Sequence, residues 1–568
     1  MSKKDLHTFI DEIEARGELK IIDVLVSRDL EMTEIADRVS KDHGKALLFR
    51  NVEGSNYPVL MNAMGSFERM SMGLGAENLD EIGAQIEEYL NLGNYLSIRK
   101  LIKSVPRLLR LLHVFPLKSR FRGECQQVIE RKVDLDTLPV LTCWPEDAGR
   151  FFTLPLVFTK DCNTKRQNVG MYRMQILNKD TTGMHWHKHK DGSEIYKGYK
   201  ERGMRMPVSV ALGCDPAVTY ASTAPLPKMI DEMMLAGWLR KSNVKMVKCI
   251  TNDIYVPGNA EFVLEGYVDP AEELALEGPF GDHTGYYSLA DYYPRFHVTC
   301  ITHKKKPVYP ATIVGKPPME DCYMAKATER IFLPVLRMMI PELIDMNLPL
   351  EGVFHNCAIV SVKGRYPGCA NKVMNGIWGM GQMMYTKLII VVDETVDVQD
   401  LSQVRDAVLN NVTPDDLYIN EGPLDALDHS SNRALYGSRL GVDATHIKEK
   451  SGNFANEFHI LTVHKEKPGQ GRLALEDYLS SNPHKFVFAV DDDVDPQDLS
   501  TVMWKVFNNI DAKRDLIKIE NKIGIDATKK WKEEGLTRDW PNDIVMTKEI
   551  KDKVSKRWKE YGFNESNQ

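Results

Sequence analysis

Two acidic residues flank a tight turn in the segment Glu277-Gly-Pro-Phe-Gly-Asp282, and His283 follows directly. Such a turn can direct both carboxyl groups into one cavity, where neighbouring carboxylates raise one pKa and make that group a proton donor. The alternative is a surface turn with ordinary acidic side chains. The clustering of glycine, aromatic, histidine and acidic residues as far as Tyr287 favours a catalytic site.

A basic, histidine-rich stretch could bind a metal or an anion. His185, His187 and His189 alternate along the chain, with Lys188 and Lys190 among them. In a strand the three imidazoles would share one face, but the lysines would repel a bare divalent cation, and a phosphate would relieve that conflict. The spacing alone favours a solvated basic strand edge over a metal site.

Two other segments could supply ligands. Arg173 ends the sequence Asn168-Val-Gly-Met-Tyr-Arg, and an arginine in a β-rich domain can pair with a substrate carboxylate or with Glu277. A Pro-rich turn at 221–227 leads into a helix whose first turn is acidic. Acidic residues there are ordinary helix capping unless a cation lies nearby.

Several common catalytic motifs are absent from the sequence. It contains no G-x-x-x-x-G-K-[ST], H-E-x-x-H or G-x-S-x-G, which excludes P-loop NTPases, zincins and α/β-hydrolases. Gly376, Gly379 and Gly381 do not have the G-x-G-x-x-G spacing, so a Rossmann nucleotide site is not supported.

The elements that must position these residues change along the chain. Apolar residues at helical spacing predict two amphipathic helices in the first hundred residues. Their apolar faces consist of Leu6, Phe9, Ile10 and Ile13, and of Leu79, Ile82, Ile86 and Leu90. From about 133 to 312, β-branched runs predict a β-rich domain with a barrel-like or sandwich core. Its predicted elements are strands at Met206–Leu212, Val244–Cys249, Phe262–Val268 and Phe296–Ile301, and a helix at about Lys228–Arg240.

The remainder alternates strands and helices and contains an internal repeat. The sequence KLIIVVDETVDVQDLSQVRDAVLNN at 387–411 matches KFVFAVDDDVDPQDLSTVMWKVFNN at 485–509. G-[VI]-D-A-T follows each copy, at Gly441 and Gly524. Each copy predicts a strand, an acidic turn and a helix, so we expect two related α/β units.

A final helix is predicted at about 544–563. Its narrow apolar stripe consists of Ile550, Val554 and Trp558. The stripe could cover its own domain or a neighbouring subunit, and the sequence leaves both interpretations open.

Composition indicates an ordinary globular protein. The 568 residues allow three or four domains at about 150 residues each, and 43% are apolar and 27% charged. A net charge of −7 argues against general nucleic-acid binding. No apolar stretch approaches the ~20 residues that span a bilayer, and the start shows no apolar signal core. The nine cysteines form no C-x-x-C pair, so we expect buried, reduced thiols and a cytoplasmic location.

Together these segments resemble the UbiD family of prenylated-FMN-dependent (de)carboxylases, which includes the 3-polyprenyl-4-hydroxybenzoate decarboxylases. The likeness rests on N-V-G-M-Y-R at 168–173, A-S-T-A-P-L-P at 221–227 with Glu232, E-G-P-F-G-D-H-T-G-Y-Y at 277–287, Y-T-K at 385–387 and I-D-A-T-K-K-W at 525–531. It implies an α/β multidomain fold. The implied parts are an N-terminal α/β domain at 1–120, a central split β-barrel of the flavin-reductase type at 121–325, and a C-terminal α/β domain at 326–568 with the repeat and final helix.

The functional residues of the family carry over by position. Its acid–arginine–acid set corresponds to Glu277, Arg173 and Asp282, with Asp282 as the proton donor. Some relatives carry glutamate at that position, and aspartate is one methylene shorter. The residues implied to contact prenylated FMN are Asn168, Tyr172, Arg173, His187, His189, Lys190, Ser222, Thr223, Ala224, Pro225, Glu232 and Lys387.

The resemblance also implies two metal sites. A divalent ion, Mn²⁺ or Mg²⁺, would bridge the flavin phosphate through Asn168, Glu232 and His189, with His187 as the alternative histidine. Oxygen ligands with one imidazole suit these ions, and the phosphate would explain the adjacent lysines. A monovalent ion, K⁺, would bind the backbone around 221–224.

The implied reaction is the reversible, non-oxidative decarboxylation of an aromatic acid, in ubiquinone or menaquinone biosynthesis or in aromatic-acid metabolism. His429 stands where polyprenyl-hydroxybenzoate enzymes have an aromatic residue. A hydrogen bond from His429 to a phenolic hydroxyl would suit a hydroxylated aromatic acid, such as a hydroxybenzoate or a dihydroxynaphthoate. His283 is a second candidate substrate contact. His429 could equally be a lid residue.

Two other functions compete with the carboxy-lyase. A flavin-dependent oxidoreductase could share the barrel, but the sequence offers no nicotinamide site. A non-catalytic flavin-binding subunit is disfavoured because the acid–arginine–acid set is intact. The implied partners are a UbiX-like flavin prenyltransferase as cofactor supplier and further copies of the chain, in a homodimer or homohexamer. The expected location is the cytoplasm, or the membrane periphery for a lipid-tailed substrate.

Overall fold

The computed structural model describes residues 4–91, 114–186, 191–227, 230–364, 366–445 and 455–564. Its residues form two compact units. The first unit comprises 1–315, 319–327 and 543–568, and the second comprises 316–318 and 328–542. The chain is a mixed α/β protein of more than one domain, and the predicted boundaries near 120 and 325 stay predictions.

Four helices and a four-stranded sheet are described in the N-terminal part of the first unit, outside the gap at 92–113. The helices are Leu6–Ala15, Glu31–Lys41, Phe67–Gly73 and Leu79–Asn91, and the strands in spatial order are Leu19–Val26, Ala46–Val52, Val59–Met61 and Tyr309–Pro310. Asp5 caps the first helix by accepting a hydrogen bond from the backbone N–H of Thr8 at 2.9 Å. All four predicted apolar residues of this helix are buried. In the second predicted helix Leu79 and Ile82 are buried, whereas Leu90 is exposed.

A nine-stranded antiparallel sheet curls into a half-barrel and forms the centre of the first unit. Its strands in spatial order are Phe151–Phe152, Met174–Asn178, Thr181–Gly183, Arg295–His303, Phe262–Val268, Met206–Leu212, Leu156–Lys160 and Gln167–Met171, with Val128–Glu130 paired to Arg295–His303. Met206–Leu212 and Phe262–Val268 have the predicted bounds and pair along their full length. Both strands are buried along most of their length, and their mostly apolar runs are interrupted only by Ser209 in the first and by Glu265 and Gly266 in the second.

Smaller elements surround the curled sheet. Its helices are Asp191–Glu201, Pro216–Ala221 and Glu232–Leu239. A small sheet joins Leu117–Ser119, Lys245–Lys248 and Tyr255–Pro257, and two ribbons pair Ala275–Glu277 with Asp291–Tyr293 and Phe280–Gly281 with Tyr287–Ser288. The helix predicted from Lys228 begins only at Glu232, because the side chain of Asp231 caps it by accepting from the backbone N–H of Met233 at 2.8 Å.

The second unit contains two mostly parallel sheets. The first sheet has an antiparallel pair of strands at each edge, and the second sheet has one such pair at one edge. The first sheet has the order Leu343–Asn347, Cys357–Val362, Leu388–Asp393, Tyr436–Ala444, Leu417–Pro423, and the second has the order Ala455–Val463, His484–Asp491, Lys522–Asp526, Leu516–Ile519. The helices are Cys369–Trp378, Leu401–Asn411, Gln470–Ser481, Leu499–Asn509 and Ala512–Asp515. The long helix Glu320–Met339 contributes its later residues to this unit. Short 3₁₀ helices lie in this unit at Leu350–Gly352, Gly381–Tyr385, Pro414–Asp416 and Lys532–Glu534, and in the first unit at Glu124–Gln126 and Leu135–Thr137.

Both stretches of the sequence repeat are a strand followed by a helix, and the likeness extends beyond them. In the first copy (357–444) and the second copy (455–526) a strand and helix precede this pair, and two antiparallel strands follow it. Asn411 Nδ2 donates to Ala444 O at 2.9 Å, and Asn509 Nδ2 donates to Ala527 O at 2.8 Å. The same amide thus ties the helix end to the G-[VI]-D-A-T strand in each copy.

The final helix, Lys548–Arg557, packs on its own chain. Val554 and Trp558 are buried, and Tyr561 donates a hydrogen bond to Glu31 at 2.6 Å. These contacts support the first of the two interpretations of its apolar stripe. They also group the helix with the first unit, whereas the sequence assigns it to the C-terminal domain.

All nine cysteines are buried and free, as predicted. In the part of the chain that the structure describes, no helix is both long and apolar enough to cross a membrane.

Candidate active site

Arg173 joins the two predicted catalytic carboxylates. It lies between two strands of the curled sheet, while Glu277 ends one ribbon strand and Asp282 follows another. Arg173 Nε donates to Glu277 Oε1 at 3.1 Å, Nη1 pairs with Asp282, and Nη2 donates to Ser288 Oγ at 3.0 Å. Its guanidinium also lies over the Phe280 ring, 4.8 Å from the centroid. The structure therefore brings the acid–arginine–acid set together.

Both carboxylates are ionised in this arrangement. Burial raises the pKa of Glu277, but the hydrogen bond from His185 and the charge of Arg173 outweigh it and leave the pKa below its usual value. Burial of Asp282 is likewise outweighed, because the Arg173 guanidinium and the hydrogen bonds from His283 hold its pKa well below the usual range. A proton donor at Asp282 therefore requires that its pairing with Arg173 be weakened first.

His185 belongs to this site, although the sequence names it only as one of three alternating histidines that could bind a metal or an anion. Its Nδ1 lies 2.6 Å from Glu277 Oε1, and its ring lies 4.2 Å from that of Tyr293. Burial and the charge of Arg173 lower the pKa of His185. Because an ionised carboxylate can only accept, Nδ1–H is the donor in this pair. The alternating histidines were the available signal, but spacing cannot tell which of them meets an acid. The other predicted residues of that run, His187, His189 and Lys190, lie outside the described residues.

One oxygen of Glu277 has no hydrogen-bond partner among the described residues. Oε1 accepts from Arg173 and His185, whereas Oε2 is buried and accepts from none of them. Gly183 lies against this oxygen, and a Cβ there would come within 2.8 Å of Oε2. Since buried carboxylate oxygens normally have partners, Oε2 fits a bound group that carries an N–H or O–H donor.

His283, a predicted substrate contact, lies beside Asp282. Its backbone N–H donates to Asp282 Oδ1 at 2.8 Å, and its Nδ1 lies 3.1 Å from the same oxygen. Asp321 is the second residue of the helix Glu320–Met339. Burial raises its pKa to about 7, and nearby His283 opposes that rise. His283 thus lies near the carboxyl groups of both Asp282 and Asp321.

Asn168 and Glu232, two of the three predicted divalent-metal ligands, lie close together. The backbone N–H of Val169, next to Asn168, is near enough to the Glu232 carboxyl to favour its ionised form and so to lower its pKa. Burial raises the pKa of Glu232 to about 7, and the charges of Asp231 and Asp191 add to the rise. A divalent cation would relieve this repulsion, and hard oxygen donors fit Mn²⁺ or Mg²⁺.

Tyr172 lies beside this pair. It is buried, and burial raises its pKa, while the nearby backbone N–H of Gly192 acts in the opposite direction. Gly170 makes room for it, because a Cβ there would come within 2.5 Å of the Tyr172 ring.

The turn predicted to hold K⁺ is compact. Ser222 Oγ and Thr223 Oγ1 donate to backbone carbonyls of the preceding helix, at 2.7 and 2.8 Å. Ala224 N donates to Ala221 O at 3.3 Å, and Pro225 continues the turn. The hydroxyl protons are used within the turn, so oxygen lone pairs are what it offers to a cation.

Lys387 and His429 belong to the second unit. Lys387 Nζ donates to Asp428 Oδ1 at 2.7 Å, to Ser430 Oγ at 2.8 Å and to Asn508 O at 2.7 Å. His429 Nε2 lies 3.2 Å from Asn509 Oδ1. Both predicted site residues are buried in a polar network of that unit.

Family models match three parts of the chain. Residues 10–86 match the 3-octaprenyl-4-hydroxybenzoate carboxy-lyase N-terminal domain. Residues 117–317 match the Rift-related domain of the same family, and residues 322–444 and 450–533 match its C-terminal domain. The matched residues make up most of the chain.

Individual proteins are also similar. An uncharacterized protein of Archaeoglobus fulgidus is 49% identical over 448 residues, which cover 78% of this chain and 92% of the relative. The UbiD-class enzyme HmfF from Pelotomaculum thermopropionicum, solved with FMN, has a TM-score of 0.68 at 24% identity and covers 84% of this chain and 100% of its own. Vanillic acid decarboxylase of Sedimentibacter hydroxybenzoicus has a TM-score of 0.68 at 25% identity, over 85% of this chain and 100% of its own.

Proposed function

The chain belongs to the UbiD family of carboxy-lyases, and on this basis we propose that it decarboxylates a hydroxylated aromatic acid, reversibly, with prenylated FMN. The similarity to vanillic acid decarboxylase supports a hydroxylated aromatic acid as the substrate class. The observation that carries the proposal is the contact of Arg173 with both Glu277 and Asp282.

Arg173 is the group that binds the substrate carboxylate in this proposal. A guanidinium binds a carboxylate through two parallel hydrogen bonds. The incoming carboxylate competes with Asp282 for the guanidinium, while Glu277 and its His185 donor keep the arginine in place. Binding of substrate thereby weakens the pairing that holds the pKa of Asp282 low.

Asp282 then becomes able to carry a proton. Once the carbon–carbon bond breaks and carbon dioxide leaves, the ring carbon needs a proton in place of the carboxyl group. A general acid works best when its pKa lies near the working pH, and release from Arg173 moves Asp282 in that direction. In carboxylation the same residue takes the proton from the ring carbon.

The residues present fit the cofactor and its metals. When bound, prenylated FMN supplies an acceptor for the electrons of the breaking bond. Asn168 and Glu232, with His189, would hold Mn²⁺ or Mg²⁺ at its phosphate, and backbone oxygens around Ser222 would hold K⁺. The unpartnered Glu277 Oε2 would accept a donor from a bound ligand. The curled sheet would be the split barrel found in flavin reductases.

The finer proposals concern substrate and partners. His283 or His429 would hydrogen-bond a phenolic hydroxyl, and the product would enter quinone biosynthesis or aromatic-acid metabolism. A UbiX-like flavin prenyltransferase would supply the cofactor, and Lys387 would contact it. We also propose a homodimer or homohexamer in the cytoplasm, or at the membrane periphery.

The test begins with the cofactor. The protein is co-produced with a flavin prenyltransferase, purified anaerobically, and its flavin and metal are identified by mass spectrometry. We expect prenylated FMN with Mn²⁺ or Mg²⁺, and carbon dioxide release from members of a panel of hydroxylated aromatic acids. Unmodified FMN without turnover would favour the flavin-dependent oxidoreductase, and no flavin at all would remove the proposal.

A variant pair then tests Asp282. Asp282→Asn should keep flavin and metal but lose turnover, because the amide carries no transferable acid proton. Asp291→Asn is the matched control, since Asp291 faces Glu277 across the ribbon but is exposed. Equal turnover in the two variants would show that Asp282 is not the donor.

A further inference from the structure

The four residues between Glu277 and Asp282 are held by groups from distant parts of the chain. The backbone N–H of Gly278 donates to Gln175 Oε1 at 2.9 Å, and that of Gly281 donates to Asp147 Oδ1 at 2.7 Å. The carbonyl of Pro279 accepts from the backbone N–H of the residue after Asp147, at 2.9 Å. Every one of these bonds fixes the path of the main chain that separates the two acids.

The two side chains that make these bonds are themselves fixed. Asp147 Oδ2 accepts from the backbone N–H groups of Cys143 and Trp144, at 3.1 and 2.9 Å. Gln175 Nε2 donates to Ala148 O at 3.0 Å. The segment 143–148, the strand that carries Gln175 and the turn 278–281 therefore form one closed hydrogen-bonded frame.

Packing adds to this frame. The Trp144 indole donates to Val314 O at 2.8 Å, and its ring lies directly on the turn, because a Cβ on Gly281 would come within 2.3 Å of the indole. A shift of the turn toward Trp144 is blocked by the indole ring, and a shift away from Asp147 breaks the hydrogen bond of Gly281.

We propose that Asp147 and Gln175 are positioning residues, which hold the turn 278–281 so that Glu277 and Asp282 meet Arg173 together. This inference rests on the proposed function. In the structure Asp147 and Gln175 bond the backbone of the turn, so they act through the turn and are not themselves catalytic. The reason for such a frame is geometric, since a displacement of about 1 Å in a reacting group can cost about 100-fold in rate.

The test compares two glutamines that make the same kind of bond. Gln175→Met keeps side-chain length but removes both hydrogen bonds. Gln126→Met is the matched control, because Gln126 is equally buried, accepts from Gly123 N at 3.2 Å and donates to Lys248 O at 2.8 Å, away from the turn.

Two readouts separate positioning from general stability. Amide hydrogen exchange of the peptide that covers 278–282 should rise at least 10-fold in Gln175→Met and stay unchanged in Gln126→Met. With flavin and metal content unchanged, kcat should fall at least 10-fold in Gln175→Met only. Gln175→Glu, which keeps the acceptor for Gly278, should recover part of the exchange protection.

A second variant tests the shared frame. Asp147→Asn replaces one of the two accepting oxygens by an NH₂ group, which cannot accept from a backbone N–H. Amide exchange in the peptide 278–282 should therefore rise. The double variant Asp147→Asn/Gln175→Met should lose less kcat than the product of the two single losses, because both act through one turn.

The outcomes distinguish this inference from the proposed function. Unchanged exchange in 278–282 for both Gln175→Met and Asp147→Asn overturns the frame, whatever the enzyme does. Raised exchange in a protein that turns over no aromatic acid leaves the frame standing and removes the carboxy-lyase proposal. Raised exchange with wild-type kcat shows that the frame exists but does not position the acids, which overturns the inference.

Discussion

The imidazole of His429 is kept neutral by its surroundings. Burial lowers its pKa to about 3, although the charge of Asp428 and the hydrogen bond to Asn509 oppose this. In the unfolded chain a histidine titrates near 6.5. Between these two values the unfolded state binds more protons than the folded state, so stability rises with pH. The contribution is complete above about pH 6.5 and is lost as the pH falls toward 3.

The lowered pKa of His429 makes the folded protein less stable in acid. Lowering the pH from 7.5 to 5 should reduce the Tm of the wild type more than that of His429→Gln, which cannot titrate in this range. Scanning fluorimetry of the flavin-free protein measures both slopes. His464→Gln is the control. His464 is exposed and its hydrogen bond to Asp492 raises its pKa, opposite to His429, so this variant should not reduce the loss of Tm. Parallel slopes for wild type and His429→Gln would show that His429 is not buried as a neutral ring.

Among the elements, the C-terminal segment 543–564 reaches the loop that carries Asp282. The backbone N–H of Ile544 donates to Gly285 O at 2.9 Å, and Asp543 forms a bridge with Tyr286. The carbonyl of Tyr286 in turn accepts from the backbone N–H of Asp282 at 3.1 Å. One segment of extended chain thus supports the back of the Asp282 loop.

Ile544→Pro tests this support, because proline has no N–H to donate. We expect faster amide exchange in 282–287 and a kcat lower by about 10-fold, as when catalytic groups are slightly displaced. Val545→Pro is the matched control, since Val545 is 60% exposed and lies next in the chain. Identical exchange in the two variants would show that the segment does not hold the loop.

Strands and helices were predictable from the sequence where the pattern of apolar residues alone sets their ends. The strands Met206–Leu212 and Phe262–Val268 have their predicted bounds because burial on both faces leaves a mostly apolar run between polar flanking residues. The start of the helix at Glu232 was predicted too early, because apolar spacing does not reveal where a capping side chain such as Asp231 ends the preceding loop.

Some residues of the site were likewise predictable from the sequence and others were not. The turn chemistry and the family resemblance indicated Glu277 and Asp282. The partners of Asp147, Gln175 and His185 were not predicted because they lie far away in sequence, with separations of 134, 103 and 92 residues. Asp147 and Gln175 also accept hydrogen bonds from backbone N–H groups. Nearly every residue has such a group, so the partner's residue type does not reveal the bond.

For the molecule as a whole, the clearest organising feature is the reciprocity of the two copies in the second unit. Lys485 Nζ donates to Leu409 O at 2.9 Å, at the end of the first copy's helix. Lys387 Nζ donates to Asn508 O at 2.7 Å, at the end of the second copy's helix. Each copy thus places a lysine at the carbonyl end of the other's helix, where a cation is favourable. A single apolar core, which includes Val404 and Val502, draws on both copies.

Lys387 can accordingly be tested as a link between the copies. Lys387→Met leaves the buried carboxylate of Asp428 without its cation at 2.7 Å, which typically costs about 3–5 kcal/mol. Chemical denaturation of the flavin-free protein should show this loss, and Lys387→Met/Asp428→Asn should recover part of it because neither buried charge remains. Lys518→Met, at an exposed lysine that donates to Pro414 O, should leave stability unchanged. If Lys387→Met instead kept its flavin-free stability and lost only flavin binding, the lysine would serve the cofactor and not the junction between the copies.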